Sequence, residues 1–254
     1  MEPFSTSLLI FTIVVVGAMA AMAVGPSLRP HHISAETRDV VKLGIGMVSA
    51  MSALILGLTV SSVMSSYNLT ERDVQQYATD LVNLDGALRD YGAGADAVRA
   101  DLQHFTVLSL AEAWPARRSL MPGAEETDVE QALSAIGTAI SDLPGDTVDA
   151  AQDRSAALAM YRKVQQDRWK IGIESYSSVN PVMIVVVAVW LTLIFMSFGL
   201  FAPRNIVSVL FLIICPACIA GTIYLILDLN TPFEGTTAIA PVPLERALLH
   251  QQKP

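Results

Sequence analysis

Charged side chains are scarce in this chain. Only 16% of its 254 residues are Asp, Glu, Lys or Arg, while 52% are hydrophobic. A water-soluble chain of ordinary composition carries about 25% charge, so the shortfall argues against a purely soluble protein. Cysteine is scarcer still. Cys215 and Cys218 both lie inside one apolar run, which leaves no disulfide framework and no zinc spacing. Basic blocks are absent, and the net charge of −8 disfavours nucleic acid or an anionic surface as partner. The adjacent His31 and His32 diverge in direction and have no further histidine nearby to complete a metal shell. No nucleophile elbow, Walker loop or HExxH motif occurs. No catalytic residue, metal or cofactor is therefore expected, and an enzyme is the least favoured class.

Long apolar runs supply what charge does not. Residues 8–24, 43–64, 182–200 and 206–227 each approach the roughly 20 residues that a bilayer-spanning helix needs. The first run is read as a retained helix, because "MEPFSTS" carries Glu2 and none of the Lys or Arg of a secretory leader. A thiolate needs an electropositive, partly exposed setting. The "CPAC" of 215–218 therefore reads as small apolar packing residues around Pro216, a helix-kinking position.

Between the second and third runs the chain turns polar and periodic. Val60, Val63, Tyr67, Thr70, Val74, Tyr77, Leu81, Leu84, Leu88 and Tyr91 follow in steps of three and four. This heptad seam crosses from the lipid run into the polar run without a break, so one helix is expected to run to Tyr91 and stop at the "GAG" of 92–94. A second helix, 95–113, carries Val98, Leu102, Phe105 and Ser109 on one face. A third begins at a capping box of Thr127 and Glu130, with a stripe of Val129, Leu133, Ile136, Ile140 and Leu143. A fourth covers about 147–178. The many carboxylates of this region are accounted for by solvated helix faces. Two positions of the bundle relative to the bilayer stay open. Arg29, Arg38, Lys42 and Arg204 in the short loops favour a bundle outside the cytoplasm, whereas Arg162, Lys163, Arg168 and Lys170 before the third run favour the inside.

The second run has a further pattern. Gly46, Ser49, Ala53, Gly57 and Ser61 recur at three and four, making one face small and mildly polar. Such a face packs helices closely in lipid or, turned to water, lines a pore. None of the four runs contains an internal charge, which disfavours a proton relay or voltage sensor. At the exit of the fourth run "DLNTPFEG" reads as a turn: Asp228 and Glu234 flank Pro232, which fixes its φ, and Gly235 lets the chain reverse. It reads as a membrane re-docking turn, with an acidic rim at a pore as the sharper alternative. Phe233 would anchor in the headgroup layer or against neighbouring helices, and a short amphipathic helix with Leu244, Leu248 and Leu249 would follow.

Four segments carry a family resemblance: "ETRDVVKLGIGMVSAMSALILGLTVSSVMSSYN" at 36–68, "SFGLFAPRN" at 197–205, "LILDLNTPFEG" at 225–235 and, more weakly, "EAWP" at 112–115. In this order they resemble the bacterial bestrophin-like membrane proteins. The resemblance implies remote kinship with bestrophins, pentameric anion channels with four spans and a large helical region on the cytoplasmic side. Bestrophin pore necks carry aromatic residues, whereas 43–64 has none, and no clustered acidic calcium clasp is evident.

The expectation is an all-α integral membrane protein with four transmembrane helices and an extramembrane helical bundle inserted between helices 2 and 3. Residues 1–65 hold spans one and two, 66–180 the bundle, 181–229 spans three and four, and 230–254 an interfacial turn and short helix. The resemblance implies a multi-pass protein of a bacterial inner membrane, a homo-oligomer and small anions as the passing species. Gly46, Ser49, Ala53, Gly57 and Ser61 would form the pore-lining or packing face. Pro203, Arg204, Asn205, Asp228, Pro232, Phe233, Glu234 and Gly235 would form the motif loop and turn, Arg204 and Asn205 capping helix ends or meeting headgroups. The alternative is a non-conducting scaffold whose bundle binds a partner protein.

Overall fold

The computed structural model describes residues 2–27, 35–115, 128–174 and 181–253. These residues form helices and connecting turns, with no strand among them. The helices are α1 (Pro3–Val24), α2 (Ala35–Tyr91), α3 (Asp96–Ala113), α4 (Val129–Ser141), α5 (Val148–Glu174), α6 (Pro181–Phe201), α7 (Ile206–Leu229) and α8 (Val242–Gln251). The chain divides into two compact units: Met1–Ser66 with Ser177–Thr231, and Tyr67–Tyr176 with Pro232–Pro254. The helix α2 contributes residues to both. Arg29 and the histidine pair at 31 and 32 lie outside the described residues.

In the first unit α1, α6 and α7 pack through narrow stripes. Ile10, Val14, Ala18 and Met22, one helical turn apart on α1, meet Val187, Leu191 and Phe195 of α6 and Leu212 and Ile223 of α7. The outward faces are just as apolar: Leu9, Ile13, Val16, Val185, Val189, Leu193, Leu210 and Phe211 are all exposed. Water would penalise such a surface heavily. In lipid it costs nothing, provided the backbone is satisfied internally, as it is in a helix. Four helices, α1, α2, α6 and α7, are long and apolar enough to cross a membrane. The helix α7 runs through Pro216, with Cys215 half-buried and Cys218 exposed, both as free thiols.

The second unit is a helical bundle. The seam read on α2 supplies its spine: Val74, Tyr77, Leu81, Leu84 and Leu88 are buried, together with Val98, Leu102 and Phe105 of α3. The α4 stripe and its extension, Val129, Leu133, Ile136, Ile140 and Leu143, closes over them. Each fully buried leucine contributes roughly 1.5–3 kcal/mol relative to exposure. Gly92, at φ 93°, ends α2 in the left-handed region where glycine is unstrained.

Two details correct the sequence expectations. The cap of α4 is Asp128, whose side chain accepts from the Glu130 amide at 2.9 Å; Thr127 lies outside the described residues. Asp accepts that bond as well as Thr does and adds charge favourable to a helix N-terminus. The bundle carboxylates are also not all on solvated faces. Asp85 is 0% exposed and Asp80 4%, because arginine and amide side chains cover them. Residues 232–253 add a further layer, with Ile239, Leu244 and Ala247 buried in the core of this unit.

Candidate functional site

The second span presents three faces to different surroundings. Ser52, Thr59 and Val63 point into the first unit and are buried. Thr59 Oγ1 donates to the Ile55 carbonyl at 2.7 Å, the back-bond that satisfies a hydroxyl inside a helix. The Ser52 hydroxyl is buried without a partner among the described groups. A second face bears Met47, Met51, Leu54 and Leu58, all exposed. The third is the small face: Gly46, Ala53, Gly57 and Ser61 are exposed and Ser49 is half-buried. No atom lies within 4 Å of a Cβ built on Gly46 or Gly57. Among the described residues nothing covers Gly46 or Gly57, and the groups of this face are small enough for backbone carbonyls and serine hydroxyls to reach a neighbouring helix or a passing ion.

The loop between α6 and α7 is built from helix-end chemistry. Arg204 donates from Nη2 to the Met22 carbonyl at 2.9 Å and the Ala23 carbonyl at 2.8 Å, so one guanidinium serves the last carbonyls of α1. Asn205 accepts the Ser208 amide at 2.8 Å and caps α7. Pro203 precedes them, exposed. At the other end of α7, Asp228 is 2% exposed. Its Oδ1 lies 3.5 Å from the Tyr224 hydroxyl, while its backbone carbonyl accepts from the Thr231 amide and hydroxyl.

Beyond Thr231 the motif belongs to the second unit. Pro232 is buried, and its carbonyl accepts from the Ile239 amide at 2.7 Å. Phe233 stands edge-on to Trp114, ring centroids 5.4 Å apart. Glu234 is exposed, and Gly235 adopts φ 91°, a left-handed conformation that reverses the chain. The Trp114 indole N–H donates to the Ile239 carbonyl at 2.7 Å. These bonds fold 232–241 onto the end of α3.

Two polar features of this unit leave little trace in the sequence. Asp85 accepts from Arg89 Nε at 2.8 Å and from Arg99 Nε at 3.0 Å. Arg89 Nη2 also donates to the carbonyls of His250 and Lys253, and Gln103 donates to that of Gln251. The buried carboxylate thus aims two guanidiniums that clasp the C-terminal end of α8, Arg99 Nη2 also reaching the Lys253 carbonyl at 3.5 Å. Separately, Tyr77, Trp114, Leu133, Arg168, Trp169 and Phe233 are among the residues lining a cavity of about 870 Å³. Arg168 is paired there with Glu112 at 2.9 Å, and Trp169 is 70% exposed. Burial pushes the Tyr77 phenol up to about 12, against the opposing bond to Ser109, so it stays neutral at physiological pH. The sequence singles out Tyr77, Leu133, Phe233 and the "EAWP" of 112–115 separately, without bringing them to one cavity.

The family model for the bestrophin-like domain matches residues 12–244, which takes in the latter part of α1, all of α2, α6 and α7, and the bundle helices between them. The chain belongs to the bestrophin-like family. Solved structures agree on the fold of this bestrophin-like protein. A crystal structure of a variant of a bacterial bestrophin homolog from Klebsiella pneumoniae superposes with a TM-score of 0.68 at 14% identity, covering 99% of this chain and 97% of that one. Another crystal structure of that homolog gives 0.68 at 14% identity, with 96% of each chain covered. A second variant gives 0.67 at 14% identity, covering 96% and 98%. Identity this low speaks for shared architecture. None of the curated proteins matches the chain. The all-helical membrane architecture read from the sequence is that of the bestrophin-like family.

Proposed function

We propose that this bestrophin-like protein assembles as a homo-oligomer and passes small anions along the small-polar face of α2. Copies of Gly46, Ser49, Ala53, Gly57 and Ser61 surround the path, and residues 66–180 stand outside the bilayer. The reading is carried by one observation: on a helix otherwise fitted to lipid or to its own unit, Gly46 and Gly57 face open space among the described residues, and Ala53 and Ser61 are exposed beside them. Family membership across 12–244 supports it, through the channel activity that the bestrophin resemblance implies. The absence of aromatic or charged groups from 43–64 makes the lining weakly interacting, so an ion is solvated by hydroxyls and carbonyls without being trapped. Asp228, Pro232, Phe233 and Gly235 belong in this reading to a turn near the end of the fourth span.

The test is made in a background in which Cys215 and Cys218 are replaced by alanine. A cysteine at position 49 or 53 then reacts with a membrane-impermeant thiol reagent in proteoliposomes, and the modification reduces chloride efflux. Efflux equal to that of empty liposomes, from a folded oligomer, overturns the channel. Unreactive cysteines, with oligomers broken by bulky side chains at the same positions, favour the scaffold reading, in which the face packs against other copies and the bundle serves a partner protein.

A further inference from the structure

A polar seam joins α2 and α5 within the second unit. On α2, Asp73, Gln76, Asp80 and Asn83 recur at helical spacing; on α5, Lys163, Asp167 and Lys170 do the same. Lys170 pairs with Asp73. Asp80, nearly fully buried, accepts from Gln76 Nε2 at 2.9 Å on one oxygen and from Asn83 Nδ2 at 3.2 Å on the other. The Asp167 carboxyl lies within hydrogen-bonding reach of Asp80. Its Oδ2 is buried and receives no donor among the described groups.

Two carboxylates in contact cannot both ionise cheaply. Their charges repel, and a lone pair faces a lone pair where a bond should be. The surrounding charges do not resolve this. Lys163 acts on Asp80 and Lys170 on Asp167, but Lys170 is engaged by Asp73, whose own charge bears on Asp167. One proton between the two carboxyls satisfies both, the protonated one donating to the other.

We propose that Asp80 and Asp167 hold one shared proton between α2 and α5, and that its release toward neutral pH loosens this helix contact. Burial, then the bond to Asp80 and the charges of Asp80 and Asp73, push Asp167 from 3.8 to about 6, with Lys170 opposing. Burial alone would raise Asp80, but the bonds from Gln76, Asp167 and Asn83 outweigh it and lower it. The proton therefore resides on Asp167, held about a hundredfold more tightly than by a free aspartic acid. The helix α2 also carries the small face, and α5 precedes the third span in the chain.

The sign of the effect follows from where the proton is bound. Between the ordinary aspartate value of 3.8 and about 6, the folded protein keeps a proton that the unfolded chain has lost. Stability from this pair therefore falls as pH rises through that window and stays low above it. The full-length protein in detergent is compared with Asp167→Asn, whose amide donates permanently to Asp80. The wild type is expected to lose thermal stability from about pH 4 to about pH 6, and its α5 amides to exchange several-fold faster above the window after correction for intrinsic rate. In Asp167→Asn both changes vanish. An identical pH profile in the two proteins overturns the proposal. Should the variant fail to fold, infrared spectra of the wild type decide: a protonated-carboxyl band at about pH 5 that disappears by about pH 7.5 is expected, and its absence overturns the shared proton. Recovery of wild-type stability at neutral pH on adding magnesium or calcium also overturns it, because the pair would then be bridged by a metal cation.

Discussion

Gly199 lies against the backbone of Ala18, so near that a Cβ built on the glycine would fall 2.1 Å from the Ala18 carbonyl oxygen. The two residues bring α6 and α1 together without an intervening side chain. In lipid, close packing of this kind replaces the hydrophobic drive that holds soluble helices together.

Replacing Gly199 with alanine therefore forces α1 and α6 apart. The obstacle is backbone, which no rotamer change relieves, and overpacking of this kind costs about 1–3 kcal/mol. The expected outcome is a lower midpoint of thermal unfolding in detergent, with faster hydrogen exchange along both helices. Gly57→Ala is the control, since open space surrounds that position; it should leave the stability of the protomer unchanged. An equal loss in both variants would contradict the close approach.

Truncating Asp85 to alanine leaves Arg89 and Arg99 without their buried counter-charge. Breaking one side of a buried ion pair typically costs 3–5 kcal/mol, roughly. Because Arg89 also binds the carbonyls of His250 and Lys253, the C-terminal helix should lose protection against hydrogen exchange before the rest of the bundle. Uniform loss of protection, with α8 no worse than α3, would show that the clasp holds nothing in place.

Trp114→Phe keeps an aromatic ring beside Phe233 but removes the donor to the Ile239 carbonyl. A buried acceptor left without its bond costs about 1–3 kcal/mol. Amides 233–241 should exchange faster, and the carbonyl stretch of an isotope-labelled Ile239 should shift to higher frequency. No change in either reading would remove the indole from the account of this turn.

Replacing Arg204 with glutamine takes the positive charge from the last carbonyls of α1 while retaining an amide donor. A cation at a helix C-terminus contributes about 0.3–1 kcal/mol at exposed sites, so a small drop in unfolding midpoint is expected, together with fraying confined to the end of α1. Arg204→Lys should recover part of the loss. A full recovery would argue against the forked geometry that serves two carbonyls from one guanidinium.

Period and composition made the architecture legible. The seam on α2 and the α4 stripe were readable because apolar residues at three and four have one structural use; the α4 stripe is buried throughout, whereas in the seam Val60 is exposed and Tyr67 and Tyr91 are half-buried. The small face of α2 was equally plain as a pattern, since glycine, alanine and serine recur there at three and four, a spacing that serves close helix packing as readily as a pore. Other features left no such mark. Arg89 and Arg204 bind backbone carbonyls, and an acceptor that every residue possesses has no signature in sequence. Asp80 and Asp85 look like any aspartates on a charged helix; only the packing of α5 and α3 removes them from water. Trp114 and Ile239 are 125 residues apart, and neither hints at the other.

The placement of Ile239, Leu244 and Ala247 inside the bundle core bears on how the molecule is made. Synthesis must pass Ala247 before the second unit can seal, so the nascent bundle emerges with an apolar gap and waits through two membrane insertions for its closing piece. A premature stop after the fourth span would not trim an appendage. It would leave a ribosome-released product with a breached interior, a natural substrate for quality-control proteases.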